Sequence, residues 1–125
     1  MILENKRSPF ERLKSLRECI DRKGFARIME AHNGLSGIIA ETVQVEKNGQ
    51  VLEYDGLWKS SLTDSASKGL PDASIVGNDS RVHTINEILT VTSKPLIVDG
   101  DTGGEPAQFE YLVRTLERLG VSAVI

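Results

Sequence analysis

Apolar residues recur along this chain in two rhythms, one helical and one of short unbroken runs. Ser8-Pro9-Phe10-Glu11 has the order of a helix start, with serine as cap, proline at the first helical position and glutamate three residues after the serine. Phe10, Leu13, Leu16 and Ile20 follow at helical spacing, which predicts a helix with that face buried. FARIME is a short apolar run that ends at the polar residues Glu30, His32 and Asn33. Leu35, Ile38, Ile39 and Val43 then give a second helical stripe, and GLWKSS a second strand ending in polar residues. Val82, Ile85, Ile88 and Leu89 predict a third helix, and PLIVDGD a third strand. Pro106 opens a fourth helix with Phe109, Leu112, Val113, Leu116 and Leu119 on one face, Gly120 closes it, and VSAVI begins a fourth strand.

Strand and helix therefore alternate, and the strands are nearly continuous apolar runs. Such strands are buried on both faces, as in parallel sheets. The predicted fold class is α/β, built of parallel (β/α) units. Each strand carries polar residues at its carboxyl end, where both barrels and open α/β sheets place their sites. AHNGLSG and DGDTGG lack the G-x-G-x-x-G spacing of a dinucleotide site, and there is no P-loop. Barrel-type units are favoured. One segment breaks the alternation: VQVEKNGQVLEY has a period of two on both sides of Asn48-Gly49. It predicts a hairpin inserted before GLWKSS; a longer helix ending in an Asn-Gly turn is the competing reading.

Composition narrows the partners. With 125 residues and a net charge of -3, the chain has length for one core and no basic footprint for nucleic acid. Cys19 is the only cysteine, which excludes a disulfide framework and fits a cytoplasmic compartment. No apolar run approaches the ~18 residues of a membrane span, and MILENKRSPF lacks the apolar core of a signal peptide. The expectation is a cytoplasmic domain with neither nucleic acid nor membrane as partner.

The stretch KPLIVDGDTGGEPAQF carries the chemistry. Asp99 and Asp101 stand one residue apart at the end of an apolar strand. In one reading Asp101 and Thr102 cap the next helix and Asp99 makes a turn. In the other, an ionised Asp99 at the end of a buried strand needs a partner, and a magnesium ion suits it. That ion takes one or two protein carboxylates and keeps its remaining positions for water and substrate oxygens.

MEAHNGLSG, DGLWKSSLTDSASKGLPD and IVDGDTGG, in this order, resemble the phosphoenolpyruvate mutase family of the isocitrate lyase/phosphoenolpyruvate mutase superfamily of α/β barrels. The resemblance runs from about Ala26 to Ile125. It implies a small-molecule substrate and the interconversion of phosphoenolpyruvate and phosphonopyruvate, the C–P bond-forming reaction of phosphonate biosynthesis. It implies Mg2+ as cofactor, bound directly by Asp99 and through water by Asp101. Trp58, Ser60, Ser61 and Leu62 would line the substrate pocket, although the family usually has glycine where Ser61 stands. Asp72 would be the catalytic residue of a mobile gating loop, and Glu30, His32 and Asn33 would support the site. Taken as residues alone, Trp58 also suits a core, Ser60 and Ser61 a strand-end turn, Gly-Leu-Pro-Asp72 a plain turn and His32 a hydrogen-bonded structural position. Lys59 and His83 receive no role, and Lys59 is expected in solvent.

An eight-unit barrel needs ~250 residues, so residues 1–125 are expected to form the amino-terminal half of one. Open strand edges in such a half favour association, either as a homo-oligomer or with a complementary half-barrel. The resemblance leaves three further readings open: a phosphonopyruvate hydrolase, a carbon–carbon lyase of the superfamily, and a non-catalytic half-barrel.

Overall fold

The computed structural model describes residues 7–125; MILENK, part of the stretch read for a leader's apolar core, lies outside the described residues. Four parallel strands form the main sheet in the order β1 (Ile28–Glu30), β4 (Gly56–Lys59), β5 (Leu96–Val98) and β6 (Ala123–Val124). Helix α2 (Gly34–Thr42) follows β1, helices α3 (Ser61–Ser67) and α4 (Asn78–Val91) follow β4, and α5 (Pro106–Leu119) follows β5. Spatial order equals chain order, as in a barrel wall grown one unit at a time. The α/β class and the parallel units read from the sequence are present. The short α3 was not anticipated, because SLTDSAS has no apolar periodicity to announce it.

The sheet is covered on one face. Leu57, Leu96 and Val98 point into a core shared with Ala40, Ile85, Ile88, Leu112 and Leu116. The alternate residues Trp58 and Ile97, which are register partners, lie on the other face, and Trp58 is 37% exposed. The inserted segment is a hairpin of β2 (Gln44–Lys47) and β3 (Gln50–Glu53). Asn48 and Gly49 both have positive φ, 53° and 74°, as the two-residue turn requires.

Helix α1 (Pro9–Lys23) begins with the expected reciprocal cap between Ser8 and Glu11, but it does not bury the expected face. Arg12, Ser15 and Cys19 are buried, whereas Phe10 and Ile20 are exposed. The reason is what α1 packs against. The Arg12 guanidinium donates to the carbonyls of Leu89 (3.5 Å), Thr92 (3.2 Å) and Leu119 (3.4 Å), at the carboxyl ends of α4 and α5. Terminal helix carbonyls lack intrahelical donors and carry partial negative charge, so a buried cation satisfies them. In α2, likewise, Gly37 and Ala40 are buried while Leu35, Ile39 and Val43 are exposed. A Cβ at Gly37 would stand 3.0 Å from Val91 Cγ2, so it is the small residues that let α2 approach α4. The stripes of α4 and α5 turn inward as expected, except that Val113 is exposed.

Two glycines test the docking of α1. Gly120 and Gly24 have nearly the same φ, 82° and 79°, but a Cβ on Gly120 would meet Pro9 O at 2.5 Å while one on Gly24 would meet nothing. Gly24→Ala should cost about 1 kcal/mol from backbone strain. Gly120→Ala should cost at least 2 kcal/mol more than that, about the upper end for single substitutions. Equal losses in urea unfolding would show that α1 yields freely.

Candidate active site at the carboxyl end of the sheet

Glu30, Trp58 and Ile97 stand in one register row across β1, β4 and β5. Asp99 lies two residues beyond Ile97, so the alternation of an extended strand carries it to the same open face. Its main chain is tied to β4, for Asp99 N donates to Lys59 O at 3.0 Å. The half-buried carboxylate is held from two sides. Ser61 donates to Oδ2 through both N (3.2 Å) and Oγ (2.8 Å), and Asp101 N donates to Oδ1 at 2.9 Å. Ser61 opens α3 and is not among the positive-φ residues, so serine is unstrained where the resemblance leads one to expect glycine. Its hydroxyl adds a hydrogen bond that glycine lacks.

Asp99 thus makes the turn that one reading of the sequence gave it. The capping role for Asp101 is not what the structure shows: the residue before α5 is Glu105, without a side-chain cap bond. Asp101 instead has a positive φ of 52° and pairs through Oδ2 with the buried Arg81 guanidinium. Arg81 also donates from Nη1 to Asp99 O (3.4 Å) and from Nε to Val76 O (3.1 Å). A cavity of about 190 Å³ is lined by Arg81, Asp101, the glycines 100, 103 and 104, and the start of α4. Sequence reasoning missed Arg81; its only signal was a cation inside the stripe Val82, Ile85, Ile88, Leu89.

The oxygens left open decide whether a hard cation fits. Asp99 Oδ1 accepts one hydrogen bond and keeps a lone pair, and Asp101 Oδ1 has no partner among the described residues. Among the described residues no group of three or more His, Cys, Asp and Glu side chains converges. Two carboxylate oxygens with the other positions left to water and substrate match magnesium rather than a metal that needs a full protein cage.

The remaining predicted residues are spread around this centre. Ser60 is buried and caps α3, its Oγ accepting from Thr63 N at 3.4 Å. Leu62 is exposed. Glu30 accepts from Thr63 Oγ1 at 3.1 Å, which ties β1 to α3. Asn33 caps α2, exchanging hydrogen bonds with Ser36, and His32 N donates to Ser36 Oγ at 2.9 Å. Asp72 is exposed in the loop between α3 and α4, and no hydrogen bond joins its side chain to another described residue. His83 is exposed and stands 3.3 Å from Glu87 one turn on, a partner not anticipated for it.

Lys59 is the clearest correction. Expected in solvent, it is fully buried, with Nζ 2.6 Å from Asp64 Oδ2. Parallel-strand alternation puts it on the helix-covered face with Leu57, and it must be paired there. Asp64 is also buried and pairs through Oδ1 with Lys68, while Thr84 Oγ1 of α4 donates to the same oxygen at 3.3 Å. Burial pulls the Lys59 ammonium below its ordinary pKa, outweighing the opposite pull of Asp64. Burial works to raise the Asp64 carboxyl, but its two lysines outweigh that and hold it below the ordinary 3.8.

Removing this counter-charge should be costly. Asp64→Asn leaves the Lys59 ammonium buried and unpaired, and should lower stability by about 3–5 kcal/mol at neutral pH. The folded pKa is the depressed one, so the contribution of Asp64 is fully present above 3.8 and is lost as pH falls through the lower folded value. Urea unfolding of both proteins should show the gap closing in acid below 3.8. A gap independent of pH would mean that the Asp64 charge is not what is being lost.

Known proteins are similar to this chain along most of its length. The family described as phosphoenolpyruvate phosphomutase matches residues 16–125. The phosphoenolpyruvate phosphomutase of Tetrahymena pyriformis is 34% identical over 110 residues, which cover 87% of this chain and 34% of that protein. The phosphonopyruvate hydrolase of Variovorax sp. (strain Pal2) is 32% identical over 113 residues, 90% of this chain and 36% of that one. A solved phosphonopyruvate hydrolase in complex with oxalate and Mg2+ superposes with a TM-score of 0.77 at 32% identity, covering 90% of this chain and 37% of that chain. This chain therefore spans about a third of the length of the curated relatives it matches. With a family match over nearly its whole length and a sheet that grows unit by unit, the chain belongs to the phosphoenolpyruvate phosphomutase family.

Proposed function

We propose that residues 1–125 form the amino-terminal half of a (β/α)8 barrel, and that the complete barrel is a magnesium-dependent, cytoplasmic phosphoenolpyruvate mutase. It would interconvert phosphoenolpyruvate and phosphonopyruvate, moving a phosphoryl group between oxygen and carbon. The observation that carries the reading is the pair Asp99 and Asp101 at the mouth of β5, each with a carboxylate oxygen still open. That a relative of the same fold is solved with magnesium and oxalate supports it.

In this reading Asp99 and Asp101 hold the ion, and Ser61 and the Asp101 amide hold Asp99. A magnesium ion bound there supplies Lewis-acid stabilisation of the enolate oxygen of pyruvate. Trp58, on the open face beside Ile97, gives the organic part of the substrate an apolar wall, with Leu62 at its edge. The Ser60 and Ser61 region offers hydroxyl and amide groups to anionic oxygens. The Asp72 loop closes over the migrating phosphoryl group and excludes water, which would otherwise capture a loose metaphosphate-like species. Glu30, His32 and Asn33 support the rim through α2 and α3. The hydrolase among the relatives gives the runner-up reading, in which the same residues admit water and release pyruvate and phosphate. The rest of the barrel would come from a further stretch of chain or from an associated half.

The test is a chimera of residues 1–125 with the remainder of the Tetrahymena pyriformis phosphomutase. The chimera should interconvert the two substrates, and residues 1–125 alone should be inactive, since charge-neutralising groups are worth about 10³–10⁵ in phosphoryl transfer. Asp99→Ala should lower turnover more than Asp101→Ala, the water-mediated position losing about 10- to 100-fold. Undiminished turnover in Asp99→Ala would sink the metal assignment. Pyruvate and phosphate as sole products would favour the hydrolase.

A further inference from the structure

We infer that Arg81 is the positioning residue of the carboxylate pair: it holds Asp101 in its left-handed turn with one oxygen engaged and the other open. The inference rests on the reading that Asp99 and Asp101 hold a divalent cation. Arg81 sits in the first turn of α4 and is 5% exposed. Its guanidinium joins three separate pieces of chain: Val76 O before α4, Asp99 O at the end of β5, and the Asp101 carboxylate in the turn that follows.

The turn needs such a hold. A non-glycine residue at a φ of 52° sits in a sparsely populated region, at a cost of order 1 kcal/mol or more. Two local bonds support it, Asp101 N to Asp99 Oδ1 at 2.9 Å and Gly103 N to Gly100 O at 2.9 Å. Neither touches the Asp101 side chain. Arg81 does, and its planar fork serves a carboxylate and two carbonyls at once, which a lysine ammonium on a flexible stem does not reproduce.

The pairing also makes the two aspartates unequal. Asp101 has its charge compensated by a buried cation and offers Oδ1 alone. The Asp99 carboxylate accepts only from neutral donors and has no cation paired to it among the described residues. With a divalent ion bound, Asp99 would be the stronger of the two ligands and Asp101 an acceptor held in place by Arg81. That asymmetry is what one inner and one water-mediated carboxylate require, and Arg81 creates it. A bare pair of aspartates would compete as two like ligands.

The experiment uses the 125-residue chain, its Arg81→Lys, Arg81→Gln and Asp99→Asn variants, amide hydrogen exchange, and Mn2+ titration followed by electron paramagnetic resonance. In Arg81→Lys the Asp101 and Gly103 amides should exchange about tenfold faster or more, while the Ile85 and Ile88 amides of α4 keep their protection. Mn2+ affinity should fall about tenfold in Arg81→Lys and at least as far in Arg81→Gln, even though loss of a cation favours a dication electrostatically. Unchanged exchange at the turn, or equal acceleration throughout α4, would overturn the inference and leave Arg81 a packing residue. Tighter Mn2+ binding in Arg81→Gln with no change in Arg81→Lys would also overturn it, showing a counter-charge and nothing more. If wild type and Asp99→Asn take up Mn2+ equally, or not at all, the metal reading falls, and the exchange data alone decide whether Arg81 positions the turn.

Discussion

The ion pair of Lys59 with Asp64 is the constraint on which the carboxyl end of the sheet depends. Both groups are taken out of water, where an isolated charge is prohibitive, so neither position tolerates separation from the other. Lys59 is the last residue of β4 and Asp64 lies inside α3, so their attraction fixes the angle at which α3 leaves the strand. Lys68 and Thr84 close on the same carboxylate and tie in the base of the Asp72 loop and the helix α4. The amide and hydroxyl of Ser61, between the two ionic partners in sequence, are thereby presented to Asp99.

Two buried cations do related work at opposite ends of the molecule. Arg12 gathers the carbonyl ends of α4 and α5 and fastens α1 to them. Arg81 gathers the turn after β5 and the chain entering α4 at the site. In each case a guanidinium, with five donors in a rigid fork, satisfies several acceptors from separate segments. The site is thus assembled from main-chain turns pinned by side chains, with Arg81 and Asp101 joined directly as an ion pair beside Asp99.

The open face of the sheet fits a partial barrel wall. Residues facing the helices are nearly all buried, while Trp58 on the opposite face is accessible beside Asp99. In a closed barrel that face is the interior, and its carboxyl end is where sites form. The exposed apolar residues Leu35 and Ile39 of α2, beside the edge strand β1, belong to the same geometry.

The alternation of strands with the longer helices, the parallel class, the hairpin at Asn48-Gly49 and the cap at Ser8 were legible in the sequence, because each rests on local periodicity or on contacts three residues apart. The aspartates of the turn and the serines after β4 were legible as a cluster at strand ends. Tertiary structure alone decided which face of α1 and α2 is buried, since a helix chooses its face by what it meets: helix-terminal carbonyls drew Arg12 inward, and close approach to α4 favoured Gly37 and Ala40 over larger neighbours. It alone decided the fate of the charges as well. Lys59 read as a solvated residue and Arg81 drew no reading at all, because a lone cation in a sequence has no visible partner; theirs, Asp64 and Asp101, come within reach only when α3 and α4 fold back over the sheet.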